Sequence, residues 1–227
     1  MKFLTYSHGS ETAVGILKDN GLEIVPIHFL GCTSSDMNSF LETLTDKTLE
    51  HLKRNKELLQ GIPTEKVKIL SPIPHPKQDV ICLGINYYAH AEESARFHQE
   101  AFGGDRPQPI YFSKRVNRAV ADGEPIDGHF DIVDSLDYEA ELAVVIGKDA
   151  KNIAEADVFD YVFGYTVLND ISARNLQTAH KQWYFGKSLD DFTPIGPWIV
   201  TKDEFENPPA LPIRSYVNGE LRQDSNT

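Results

Sequence analysis

Basic residues are the scarce class in this chain. Lys and Arg number 22 against 34 Asp and Glu, a formal net charge of −12 over 227 residues. That balance argues against a nucleic-acid partner or an anionic membrane surface, both of which select basic faces. Long hydrophobic runs are missing too: none approaches the roughly 20 residues a spanning helix needs. The opening MKFLTYSHGSE turns polar too early for a secretion signal. Cysteine is almost absent. Cys32 and Cys82 stand in unrelated contexts, so the expectation is two reduced thiols in a cytoplasmic protein, not a disulfide framework. No H-E-x-x-H, G-x-S-x-G or G-x-G-x-x-G occurs, which argues against a zincin or a serine hydrolase of the usual motif. Gly186-Lys187-Ser188 resembles the end of a phosphate loop, but Lys181 stands where its first glycine should be.

What is present is ordinary globular composition, 41% hydrophobic and 25% charged, in a length that fits one large domain or two unequal ones. KFLTY, TAVGILK and LEIVPI read as strands, with a hairpin turn at Asp19-Asn20-Gly21. Helices are predicted over Asp36–Leu44 and Asp46–Gln60, the second stopped by Gly61 and Pro63. SPIPHPKQ, with three prolines, reads as an extended linker. It places a boundary between a small N-terminal domain, residues 1–75, and a catalytic domain, residues 76–227. Beyond it, strands are predicted at Val80–Leu83, over IYFSK, and at Glu139–Ile146, Tyr165–Asn169 and Trp198–Thr201. A polar helix is predicted around Tyr88–Glu100, and another over Ile153–Phe163. Many strands with few helices predict a β-rich α+β fold.

DYEAELAVVIGK, beginning at Asp137, holds the first chemical signal. In a strand, residues i and i+2 share a face, so Glu139 and Glu141 project side by side. Both faces of the segment read as buried. Two bare carboxylates there would repel and lose hydration, so either a cation lies between them or they share a proton. Asp170 closes the strand YTVLND and adds a third carboxylate. Oxygen-only donors suit Mg²⁺, Mn²⁺ or Ca²⁺; an ordinary salt-bridged pair is the alternative. A second signal is GINYYAHAEE, where His90 and Glu93 share a helix face. A carboxylate beside an imidazole raises its basicity, as a general base requires; a surface His–Glu pair has the same spacing. The third signal is Lys187 in GKSLDDFTPIGPW, a candidate partner for a substrate carboxylate, or a surface lysine.

Together, GINYYAHAEE, DYEAELAVVIGK, GYTVLNDISARNLQ and YFGKSLDDFTPIGPW, in that order, resemble the fumarylacetoacetate hydrolase family over roughly residues 78–227. The resemblance implies a β-sandwich roll, a smaller N-terminal α+β domain and a homodimer. It implies a divalent ion, usually Mg²⁺, held by Glu139, Glu141 and Asp170. It assigns catalysis to His90, Glu93 and Lys187, and substrate contacts to Lys114, Arg174 and Gln177. Two departures stand out. Family members often carry Lys-Pro after the IYF strand, where this chain has Ser113-Lys114-Arg115. The family also continues past the equivalent of NGELRQDSNT, including a Gly-Thr-Pro turn, so a C-terminally truncated catalytic domain is expected.

The implied chemistry is metal-dependent C–C cleavage of a small 2-oxo acid through an enolate, either acylpyruvate hydrolysis or oxaloacetate decarboxylation. His90, oriented by Glu93, would deprotonate water, and Lys187 would stabilise the developing charge. Isomerisation of a 2-hydroxy-dienedioate is the alternative on the same centre, and a metal-stabilised binding protein without turnover is a second. The residues that choose the substrate are expected around Phe97 to Arg106.

Overall fold

The computed structural model describes residues 1–84, 86, 108–180 and 182–227. His90, Glu93, the predicted helix at 88–100 and the segment around Phe97 to Arg106 lie outside the described residues. The architecture is α+β and strand-rich. The N-terminal part contributes β1 (Lys2–His8), β2 (Glu11–Leu17), β3 (Glu23–Pro26), α1 (Met37–Thr43), α2 (Asp46–Asn55), β4 (Ile62–Pro63) and β5 (Lys68–Leu70). After the proline-rich stretch come β6 (Val80–Gly84), β7 (Ile110–Lys114), β8 (Leu136–Asp137) and β9 (Ala140–Ile146). Then follow α3 (Val158–Tyr161), β10 (Val162–Asn169), β11 (Ser172–Ala173), α4 (Arg174–Ala179) and α5 (Tyr184–Lys187). The last strands are β12 (Ile195–Thr201), β13 (Pro212–Val217) and β14 (Glu220–Asn226).

One sheet runs β4-β3-β2-β1-β12-β10-β9, with β5 also paired to β1. β1 is therefore the seam: it pairs with β2 and β5 before the proline stretch and with β12 far beyond it. Its run Phe3 to Tyr6 is buried on both faces. Phe3 packs its ring 5.2 Å from Phe40 of α1 and 5.3 Å from Phe163 of β10. This aromatic cluster, with Ile16, Val25, Leu52 and Ile199, joins the two halves of the sequence in one core. The predicted turn at Asp19-Asn20-Gly21 is present. Gly21 takes a left-handed φ of 72° and donates its N–H to the Lys18 carbonyl at 2.9 Å, and β2 pairs antiparallel with β3. Both cysteines are free. No helix among the described residues is long and apolar enough to cross a membrane.

Three expectations are corrected. The helix predicted over Ile153–Phe163 contains only the single turn of α3 preceded by a 3₁₀ turn. Val162 and Phe163 are instead strand residues, paired near Ile146 and Val145 and buried at 5% and 6% exposure; branched and aromatic side chains gain more from this sheet than from a helix turn. The helix after Asp46 ends at Asn55, five residues early, where Lys56 turns its ammonium onto Asp19 at 2.6 Å and Glu57 at 2.5 Å. Finally, β9 lies at the end of the sheet order, and Val144 and Ile146 are about half exposed. One face of that strand is not buried in the described chain.

Glu124 fastens β5 to the loop after β7. It accepts from the Lys68 ammonium at 2.6 Å, an Arg118 N–H at 2.8 Å and the Ala121 N–H at 3.1 Å. These partners, Lys68 first, pull its carboxyl down from 4.5 to about 2. A depressed carboxyl stabilises the fold fully above its unfolded pKa, and that contribution fades as pH falls from 4.5 towards 2. Glu124→Gln is accordingly expected to lower the melting temperature at pH 7, and calorimetry should find the gap to wild type closing across that acid window. A gap independent of pH would show that the carboxylate charge contributes nothing.

Candidate functional site

Short-range pairing near the end of β10 assembles the site. Asn169 accepts the Glu139 N–H on its side-chain oxygen at 3.1 Å, and Asp170 donates its N–H to the Glu139 carbonyl at 2.8 Å. Thirty-one residues of sequence separation are thus closed by two hydrogen bonds. β8 then pairs with β11, setting Ser172 opposite Asp137. Arg174, at the start of α4, reaches back across that pairing. Its guanidinium lies 2.7 Å from Asp137 Oδ2 and 2.5 Å from Glu139 Oε1, and its Nη1 donates to the Gln177 side-chain oxygen at 2.9 Å.

Lys187 closes the cluster from α5. It is 2% exposed, and its ammonium donates to Glu139 Oε2 at 2.8 Å and to Asp170 Oδ2 at 2.7 Å. The Phe112 ring lies under it, 5.2 Å from nitrogen to centroid. Gly186 makes this placement possible. A Cβ there would stand 2.6 Å from the Gln177 nitrogen and 2.8 Å from the Ala173 carbonyl oxygen, both backbone atoms that cannot step aside. Gly186→Ala is expected to push α5 off α4, costing about 1–3 kcal/mol of stability, with turnover falling further than the melting temperature alone explains. Unchanged stability and activity would mean that α5 has slack.

Lys114, at the end of β7, is fully buried. Its ammonium lies 2.5 Å from Asp170 Oδ1 and donates to the Ile171 carbonyl at 3.0 Å. Asp170 therefore stands between two lysines, one on each oxygen. Burial works to raise the Glu139 pKa, but Lys187 and Arg174 outweigh it and hold the carboxyl below its usual range. For Lys114, burial wins over Asp170 and lowers the pKa. Burial, reinforced by the charge of Asp170, pushes the Cys82 thiol up to about 12. Cys82 is a protonated, inert neighbour rather than a nucleophile.

The structure brings together Glu139, Asp170, Lys187, Lys114, Arg174 and Gln177 from four separate stretches of sequence. Glu141 lies two residues from Glu139 on β9, opposite Leu168, and its charge is felt at Cys82. Two members were not singled out in the sequence. Asp137 holds Arg174, and Ser172 donates to the Asp170 carbonyl at 3.1 Å and to Glu139 at 3.4 Å. The signal for Asp137 was its place two residues before Glu139 in the same motif.

As the side chains stand, no three His, Cys, Asp or Glu among the described residues are gathered as a ready metal cluster. The donor set nonetheless fits a hard divalent cation in kind. All three donors are carboxylates. Glu139 and Asp170 already converge on one positive centre, the Lys187 nitrogen, at 2.7–2.8 Å. With Glu141 two residues along from Glu139, these are the side chains that would hold such an ion.

The model of the fumarylacetoacetate (FAA) hydrolase C-terminal domain matches residues 79–227. The chain is 45% identical over 159 residues to the oxaloacetate tautomerase YisK of Bacillus subtilis, covering 70% of this chain and 51% of that protein. It thus spans about half the length of this relative. Among solved structures, a fumarylacetoacetate hydrolase from Exiguobacterium antarcticum superposes with a TM-score of 0.78 at 31% identity, over 100% of this chain and 75% of that one. Maleylpyruvate hydrolase from Sphingobium sp. SYK-6, in complex with manganese(II) and pyruvate, gives 0.74 at 25% identity, over 100% and 76%. With two thirds of its length under the family model and the same fold over all of it, the chain belongs to the fumarylacetoacetate hydrolase family.

Proposed function

We propose that this protein is an enzyme that takes a small 2-oxo acid and moves a proton between carbon and the enol oxygen, interconverting the enol and keto forms of oxaloacetate or a close analogue. The observation that carries the reading is the buried Lys187 ammonium bridging Glu139 and Asp170 at 2.8 and 2.7 Å. It is a fixed positive charge in a low-dielectric setting, beside the carboxylates that would hold a cation. The tautomerase name of the Bacillus subtilis relative supports the choice of reaction.

Glu139, Glu141 and Asp170 would hold a divalent ion, Mg²⁺ or Mn²⁺, which when bound supplies Lewis-acid polarisation of the 2-oxo group. Lys187 donates a hydrogen bond to the oxygen on which negative charge develops in the enolate. Arg174 fixes Glu139 from the other side, and Asp137 and Gln177 hold Arg174 in turn. His90, with Glu93, would carry the proton: in ketonisation the enol O–H is lost and the adjacent carbon gains a hydrogen, with no change in oxidation state.

C–C cleavage, by decarboxylation or by acylpyruvate hydrolysis, is the second reading. The pyruvate and manganese in the maleylpyruvate hydrolase complex favour it. Tautomerisation passes through the enolate of oxaloacetate itself, whereas decarboxylation breaks a C–C bond of the keto form to give CO₂ and the enolate of pyruvate, so one experiment separates them. Enol-oxaloacetate is added with Mg²⁺, with Mn²⁺ or with EDTA, following loss of enol absorbance and release of pyruvate together. Metal-dependent enol loss without pyruvate supports tautomerisation, and matched pyruvate release supports decarboxylation. Glu141→Ala is expected to reduce either activity to the EDTA level. Full activity in that variant, or no acceleration by the wild-type protein, overturns the proposal.

A further inference from the structure

We propose that Lys114 is a positioning residue that aims Asp170 at the bound cation, and that it never touches substrate. This rests on the reading above, in which Asp170 helps to hold a divalent ion. Lys114 has no exposed surface, and its ammonium is turned onto the Asp170 turn. Among the described residues, both hydrogen bonds of its ammonium go to one turn: Asp170 Oδ1 at 2.5 Å and the Ile171 carbonyl at 3.0 Å. That turn is the one whose Asp170 N–H reaches the Glu139 carbonyl. By occupying Oδ1, Lys114 leaves Oδ2 as the oxygen turned to the cluster, where it meets Lys187 at 2.7 Å. The strand that delivers it is fixed in register, Lys114 lying opposite Val80 across the β6–β7 pair. Partners that orient a ligating carboxylate typically account for about 10–100-fold in metal affinity or activity.

The test is Mn²⁺ binding without substrate, measured by the electron paramagnetic resonance signal of free Mn²⁺. Wild type is compared with Lys114→Met and with Lys114→Gln, the latter keeping a donor and so covering the case that the methionine variant does not fold. A folded Lys114→Met is expected to bind Mn²⁺ about 10–100-fold more weakly, and Lys114→Gln less severely so. At saturating Mn²⁺, the KM for oxaloacetate should stay within about twofold of wild type. Wild-type Mn²⁺ affinity in the folded variants, or a raised KM with unchanged Mn²⁺ binding, overturns the inference alone. Absence of Mn²⁺ binding by the wild-type protein overturns the metal reading, and the inference with it.

Discussion

Lys187→Met is expected to lower kcat by about 10²–10³-fold while leaving Mn²⁺ bound at least as tightly as in wild type. The replacement keeps most of the volume of a side chain that is 2% exposed, so packing against Phe112 survives. It removes the ammonium shared by Glu139 and Asp170. If that ammonium stabilises the enolate oxygen, its loss falls on the transition state, where a single preorganised donor is worth about 10²–10³ in rate. The same deletion frees Glu139 Oε2 and Asp170 Oδ2, the oxygens that Lys187 occupies and a cation would need, whereas Lys114 holds the other Asp170 oxygen. Without metal, Glu139 and Asp170 lose their common partner and the variant should melt earlier than wild type. Added Mn²⁺ should recover more melting temperature in the variant than in wild type. Weaker Mn²⁺ binding would instead assign Lys187 to aligning the carboxylates. The two buried lysines are thus distinguishable by opposite responses: Lys114→Met weakens metal binding, and Lys187→Met weakens turnover.

Most members of this centre, acidic and basic, were readable in the sequence; which of them meet one another was not. E-x-E at the entry to an apolar strand and N-D at the end of another are local patterns, and one acid of each, Glu139 and Asp170, meets the other at Lys187. The inference that something positive must accompany buried carboxylates also holds, since Lys187 and Arg174 lie on Glu139. Which cation meets which oxygen is a tertiary matter. Nothing in IYFSK says that Lys114 turns inward onto Asp170 rather than outward to a ligand, because a lysine at a strand end can reach either way. Asp137 escaped notice because its role depends on the β8–β11 pairing, two residues on each side, too short to mark in sequence. The misread faces of β9 have a related cause. Alternating branched residues show that both faces are apolar, and only the tertiary structure shows that nothing among the described residues covers Val144 and Ile146. Ile153–Phe163 reads as a helix closed by Gly164; the burial of Phe163 against Phe3, which decides the matter, comes from the other end of the chain.

Asp170→Ala is expected to be the most destabilising single change at the site, by about 3–5 kcal/mol, as well as abolishing metal-dependent turnover. Its carboxylate is 4% exposed and receives two ammonium groups, so truncation leaves the Lys114 ammonium buried with the Ile171 carbonyl as its one hydrogen-bond partner among the described residues. Breaking one side of a buried ion pair costs that much because the remaining charge keeps its desolvation penalty without its compensation. The loss should show as a lower urea midpoint. Lys114→Met placed in the Asp170→Ala background removes the stranded charge and should recover part of the stability, making the double variant more stable than the sum of the single losses predicts. Simple additivity would mean that the two side chains contribute independently, and that the 2.5 Å contact between them does not couple the turn at Asp170 to β7. A strong positive coupling would show that the scaffold holds its ligating carboxylate through this lysine before any ion arrives, which is the condition for a preorganised metal site.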